Sequence, residues 1–282
     1  MIATWNQYYA IKNSKTGIKG AAYNSKLMKG MMVPNEVVKK VCKHHKSILV
    51  LPDHLDDLEK METRLKLSSR GYQTKCSIVD SVAATLYHST QSRQQKGVSY
   101  VRVIDFGETG TNITLVKCTS DSISAEYTLR VENGGQHLTD QMAESLRVKM
   151  GRRLSGKEKD ELWNKVEASK IRMSMNRQKC DKIYFCDELL EKEYCVKWMR
   201  EDFEKHCNKW MNPILRKLDS FDETCQKKGI PFIQKTILCG GGSGNYYVNK
   251  ILQRKYENSN VTSYRGKDAA LLGATIYAKQ VM

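Results

Sequence analysis

The sequence predicts an α/β fold, because patterns of strand and helix alternate along it and two apolar runs each stop at a glycine-rich turn. The first run is Val101-Arg-Val-Ile-Asp105-Phe-Gly107-Glu-Thr109-Gly110-Thr111, and the second is Thr236-Ile-Leu-Cys239-Gly240-Gly241-Gly242-Ser243-Gly244. Glycine at such turns lets bare backbone N–H groups approach an anion that a side chain would obstruct. Asp105 closes its strand beside the turn, where a carboxylate can hold a hydrated metal next to phosphates. Neither turn has the glycine, lysine and hydroxyl spacing of a Walker loop or the spacing of a dinucleotide fingerprint.

A hairpin opens the chain, with Tyr8–Asn13 and Gly17–Tyr23 flanking a Ser-Lys-Thr-Gly turn. Pro34 to His45 reads as a helix, started by proline, asparagine and glutamate and carrying Val37, Val38 and Val41 on one side. A strand over Ser47–Leu51, a helix through Ser68, a short segment at Thr74–Val79 and a helix over Ser81–His88 follow. The basic stretch Gln91–Gly97 marks the boundary between lobes. Beyond it, Ser99–Asp105, Asn112–Cys118 and Ala125–Val131 read as strands, and Gly134-Gly135 as a turn. Helices are expected over Asp140–Met150 and Lys159–Asn176, the latter with Leu162, Val166, Ser169 and Met173 on one face. Asp181–Cys186 reads as a strand, and helices from Arg200 to Lys228 as broken at Pro213.

The 282 residues are enough for a substantial core and two lobes. With 40% hydrophobic and 28% charged residues the composition is that of a globular chain, and the apolar run Ile48–Leu51 is far too short to span a bilayer, so no membrane partner is expected. Nine cysteines, irregularly spaced and without a Cys-x-x-Cys pair, argue against a zinc or disulfide framework and for a reducing, cytoplasmic setting. The formal net charge of +16 favours polyanions as partners, and residues 147–179 hold eleven basic side chains against four acidic. No nucleic-acid module organises that charge in the sequence, so specific nucleic-acid binding is not expected.

Taken in order, these stretches resemble the ATPase domain of the seventy-kilodalton heat-shock chaperone family, which has the actin-like fold. Ile48-Leu-Val-Leu-Pro52 and the helix after it resemble the strand and helix before the family's crossover, and Ser77-Ile-Val-Asp80-Ser-Val-Ala-Ala84 the crossover with its catalytic acid. Asp105-Phe-Gly107 through Thr109 and Gly110 resembles the second phosphate loop, with Glu108 and Thr109 where the family has glycines. Asn133-Gly134-Gly135 is similar to the paired-glycine turn, and Val166 to Ser174 to the adenosine-binding helix. Leu238-Cys-Gly240-Gly241-Gly242-Ser243 resembles the adenosine loop, and Ala269 to Ala274 the closing helix. At 100° per residue, Glu167, Lys170 and Ser174 share a sector of about 60°, so one helix edge can offer a carboxylate, an ammonium and a hydroxyl.

The resemblance implies ATP or ADP with Mg²⁺ as ligands, Asp80 and Asp105 as catalytic acids and Asp105 as the metal-side residue. It implies Gly107, Thr109, Gly110, Gly134, Gly135, Glu167, Lys170, Ser174, Gly240, Gly241, Gly242 and Ser243 as the nucleotide contacts. Co-chaperones or a full-length chaperone would be the protein partners. The departures weaken this reading: Ile171 and Gly244 stand where the family sandwiches adenine between arginines, Asp80 replaces a glutamate, and Lys267 an aspartate. Trp5 and the hairpin resemble the first lobe's small subdomain, so residues 1–98 are expected to form a partial first lobe without the first phosphate loop and catalytic lysine. Ser47–Leu51 would then lack strand neighbours. Residues 99–282 form the second lobe with its closing helix. The implied function is chaperone-type nucleotide binding with little or no hydrolysis. A nucleotide-independent interaction or exchange module of a divergent relative is the alternative, and a sugar kinase or filament protein of the same fold is disfavoured by the Glu167–Ser174 helix.

Overall fold

A computed structural model describes residues 2–4, 8–13, 17–22, 47–68, 74–90, 97–151, 154–175, 178–187, 192–230, 232–263, 266 and 268–281. The helix expected over 34–45, Trp5, Lys267 and positions 91–96 of the expected lobe boundary lie outside these residues. Strands β1 (Ile2–Thr4), β2 (Tyr8–Asn13), β3 (Gly17–Ala22) and β4 (Ser47–Leu51) lead to helix α1 (Asp57–Ser68), strand β5 (Thr74–Val79) and helix α2 (Asp80–Thr90). Then come β6 (Ser99–Phe106), β7 (Thr111–Cys118), β8 (Ile123–Val131), α3 (Gly135–Met150), α4 (Gly156–Met175), β9 (Cys180–Asp187) and β10 (Lys192–Met199). The chain continues through α5 (Arg200–Lys227), β11 (Lys235–Cys239), a 3-10 turn (Gly241–Gly244), α6 (Tyr246–Lys255), β12 (Asn260–Thr262) and α7 (Ala269–Val281).

The chain is mixed α/β, as its strand and helix patterns predicted. The first sheet runs β3-β2-β1-β4-β5 and the second β8-β7-β6-β11-β12. In each, three strands form an antiparallel meander, and two later strands add in parallel on the far side of the first. The same topology therefore occurs twice. One expectation is corrected here: Ser47–Leu51 does not lack neighbours, because β1 pairs with it on one side and β5 on the other. The opening hairpin joins that sheet through β1, with β3 as its edge strand.

Side chains alternate across each strand, and this alternation divides the second sheet's two faces. Ile104, Phe106, Ile113 and Leu115 face a core built with α3, α4, α5 and α6, whereas Val101, Val103 and Val116 face α2 and α7. Helices α2 and α7 lie between the sheets. Ala84, Tyr87 and Ala269 pack on the second sheet, and Ala83, Leu271 and Ala274 on Val50 and Ile78 of the first.

Helix α5 runs unbroken through Pro213, correcting the expected interruption. Phe203, Cys207, Trp210, Ile214, Leu218 and Phe221 are all buried on one face at helical spacing. Burying each such side chain contributes about 1.5–3 kcal/mol, which together outweighs the roughly 3 kcal/mol cost of an interior proline. No helix among the described residues is long and apolar enough to cross a membrane.

Candidate functional site

Asp105 belongs to the Val101–Val103 side of β6, so strand alternation aims it between the sheets rather than into the core. There it meets two more carboxylates from the first sheet's strand ends: Asp53, just past β4, and Asp80, at the start of α2 after β5. The Ser81 N–H donates to Asp53 Oδ2 at 2.9 Å and the Ser81 hydroxyl to Oδ1 at 2.5 Å, tying the first turn of α2 to the end of β4. Burial is the main reason all three carboxyls hold protons more tightly than usual. Asp53 is pushed up to about 7, with the Asp105 charge adding to burial and the Ser81 hydrogen bonds opposing it. Asp80 is raised well above the ordinary range by burial and by the charges of Asp105 and Asp53. Asp105 is raised by burial, with the Arg130 guanidinium opposing the shift. Asp80, which the resemblance casts as a catalytic acid, thus holds its proton more tightly than an ordinary carboxyl.

Three glycine turns lie at the ends of β6 and β11 and at the start of α3. The turn after β11 comes closest to Asp105, because Gly240 takes φ +78° and a Cβ there would press on Asp105 and lie 2.5 Å from the Phe106 carbonyl oxygen. The Ser243 hydroxyl donates to the Gly240 carbonyl at 2.7 Å, so it closes the turn. Gly107 and Gly110 lie in the turn after β6, and Gly134 and Gly135 at the start of α3. These two turns are joined by backbone: the Gly135 N–H donates to the Gly107 carbonyl at 2.9 Å and the Gln136 N–H to Glu108 at 2.8 Å. The Gly134 N–H donates to His137 Nδ1 at 3.2 Å. Those helix N-terminal donors therefore hold the adjoining turn. Buried Trp210 donates its indole N–H to the Gly134 carbonyl at 2.8 Å and fixes this arrangement from behind.

The α4 edge docks on the same turn. Lys170 pairs with Glu167 at 2.6 Å and donates to the Gly135 carbonyl at 3.0 Å and to Thr139 Oγ1 at 2.9 Å. Thr139 donates to Glu167, closing the ring of bonds. Among the described residues Ser174, one turn further along, joins none of these bonds. Thr109 accepts from Arg130 Nη2 at 3.4 Å. Arg130 also donates to Asn112 at 3.3 Å, and both Arg130 Nη1 and Asn112 Nδ2 lie within 3.4 Å of His54 Nδ1. With two donors facing it, that nitrogen accepts, which places the His54 proton on Nε2. Burial first and Arg130 second lower the His54 pKa, favouring the neutral ring.

Sequence reasoning missed Asp53, His54, Asn112, Arg130 and Thr139. Asp53 had a signal, since Leu51-Pro52-Asp53 ends a strand in an acid much as Ile104-Asp105 does, but it falls in the stretch read as the helix between Leu51 and Ser68. Among the described residues no group of three or more His, Cys, Asp or Glu side chains is placed to hold a metal ion. The chain matches no family model and no curated protein.

The raised carboxyl of Asp53 gives a testable pH dependence. The folded chain keeps a proton that the unfolded chain, with its carboxyl near 3.8, releases, so this group's stabilisation is full below about pH 4 and is lost as pH rises toward about 7. Asp53→Asn preserves an acceptor for the Ser81 N–H without the charge. Its urea unfolding free energy is expected to equal that of the unaltered chain near pH 4 and to exceed it at pH 7, by at most about 4 kcal/mol. Parallel pH profiles for the two proteins would refute the assignment.

Proposed function

We propose that this chain is an adenine-nucleotide-binding module of the actin-like, heat-shock-seventy type, binding ATP or ADP weakly between its two sheets with little or no hydrolysis. The observation that supports this reading is the repeated strand order, which brings Asp53, Asp80 and Asp105 and the glycine turns to strand ends at the space between the sheets. A ligand in the space between two parallel-strand ends is the general habit of α/β sheets.

Weak binding follows from the local bonds. Lys170 and Glu167 already satisfy each other, and a nucleotide must share or displace that pair. Mg²⁺ takes most of its ligands from water and phosphate and needs only one or two carboxylates, so a donor set centred on Asp105 fits it although the described residues hold no three-residue cage. When bound, the ion would neutralise phosphate charge. Asp105 would hold it, and the raised affinity of Asp80 for its proton limits that residue as a base.

Calorimetric titration with ADP and Mg²⁺ tests the proposal. Lys170→Ala is expected to weaken binding by about 1–2 kcal/mol, the scale of one charged hydrogen bond. Unchanged affinity would remove α4 from the site. A complete absence of binding heat would favour the second reading, a nucleotide-independent interaction module, for which the closed Glu167–Lys170–Thr139 ring is the supporting observation.

A further inference from the structure

The β9–β10 hairpin is a two-stranded sheet set apart from the two large ones. Its register places Met199 opposite Cys180, Lys197 opposite Lys182, Cys195 opposite Tyr184 and Glu193 opposite Cys186. The alternate set, including Ile183 and Trp198, is buried. Asp181, in that set, is held by Arg172 of α4 at 2.7 Å. Outward, Lys182, Tyr184, Cys195, Lys197 and Met199 are exposed, with Tyr184 at 56%.

Two features of this face call for a partner. Like charges directly opposite each other destabilise a sheet, yet Lys182 and Lys197 are cross-strand neighbours and neither is ion-paired among the described residues. Among the described residues the one acid of the face, Glu193, lies four residues along β10 from Lys197, about 13 Å away at strand rise. Tyr184, next in line on the same face, presents an exposed ring about 7 Å from Lys182.

We propose that the outward face of this hairpin binds single-stranded nucleic acid without sequence preference. Lys182 and Lys197 meet successive phosphates, and Tyr184 stacks on a base. Flat exposed aromatics beside a cationic track are how sheets hold single strands, and the net charge of +16 supplies long-range attraction. A duplex, with its bases stacked inside, offers Tyr184 nothing. An acidic polypeptide would use the lysines and gain little from the ring.

The test is fluorescence anisotropy of a labelled oligothymidylate titrated with the full chain across salt concentrations. Tyr184→Ala is expected to weaken binding roughly tenfold and Tyr184→Phe to leave it unchanged, since either ring stacks. The Lys182→Gln/Lys197→Gln double variant should lower the magnitude of the salt slope by about 1.4, the value for two lost phosphate contacts on a single strand. Tyr184 is exposed, so the thermal midpoints of its variants should match that of the unaltered chain, and the double lysine variant, relieved of the cross-strand repulsion, should unfold no earlier than the unaltered chain. Equal binding by the Tyr184→Ala variant, equal affinity for a duplex, or displacement by polyglutamate as effective as by unlabelled oligothymidylate would each overturn the proposal. The last outcome would point to an acidic protein partner instead.

Discussion

Gly273→Ala is expected to destabilise the chain by at least about 3 kcal/mol, the upper end of the usual overpacking cost, in spite of alanine's better helix propensity. Gly273 lies on α7 where it crosses α2, and a Cβ there would overlap the Ala83 carbonyl oxygen, with the Ala83 Cα only 3.0 Å away. The obstruction is backbone, so no rotamer change relieves it. The helices must part, and parting them opens the small-residue contacts of Ala83, Ala84, Ala269 and Ala274 that join both sheets. Gly156→Ala makes the matched control: nothing lies within 4 Å of its added methyl, and its stability should stay within about 0.5 kcal/mol of the unaltered chain. Thermal unfolding of the two variants side by side decides the point. Equal midpoints would mean that the crossing is looser than described.

Asp222→Ala should cost about 3–5 kcal/mol in urea unfolding, because it strands a buried cation. Arg102 sits mid-strand in β6 on the face that packs against α5 and α6, and its side chain is 5% exposed. Its guanidinium pairs with Asp222, donates to Thr236 Oγ1 at 3.0 Å and lies 3.8 Å over the Tyr256 ring. The Tyr256 hydroxyl donates to the other Asp222 oxygen at 3.0 Å. Removing the acid leaves the cation desolvated, whereas replacing both partners removes the charge itself. Arg102→Met combined with Asp222→Ala is therefore expected to recover most of the loss. A double variant as unstable as Asp222→Ala alone would show that packing, not the uncompensated charge, sets the cost.

Much of the chain's local order was legible because periodicity reports which side of an element is buried. Leu162, Val166, Ser169 and Met173 were read as one face of a helix, and all four are buried in α4. Asp105 was read as the end of one strand and Gly240–Ser243 as the turn after another, and the structure presses Gly240 against Asp105. The first turn of α3 was read too late, because Gly134-Gly135 scores as a turn until Trp210 and the Gly107 carbonyl supply partners for its backbone. Pro213 looked like a break for the same reason: its local cost is visible in the sequence, and the buried face of α5 that offsets it is not.

The sequence by itself determined the strands that end in acids and glycines, the amphipathic helices, and the basic charge. Only tertiary structure decided how these meet, because pairing register and sheet order depend on residues far apart in the chain, which no local period records. It placed β1 beside β4, repeated one strand order in both sheets, and brought Asp53 and Asp80 to Asp105. It also set Lys182 against Lys197, fifteen residues apart in sequence and adjacent across a hairpin. Burial then raised the proton affinity of the three acids, since a carboxyl's proton affinity follows the solvent and charges around it.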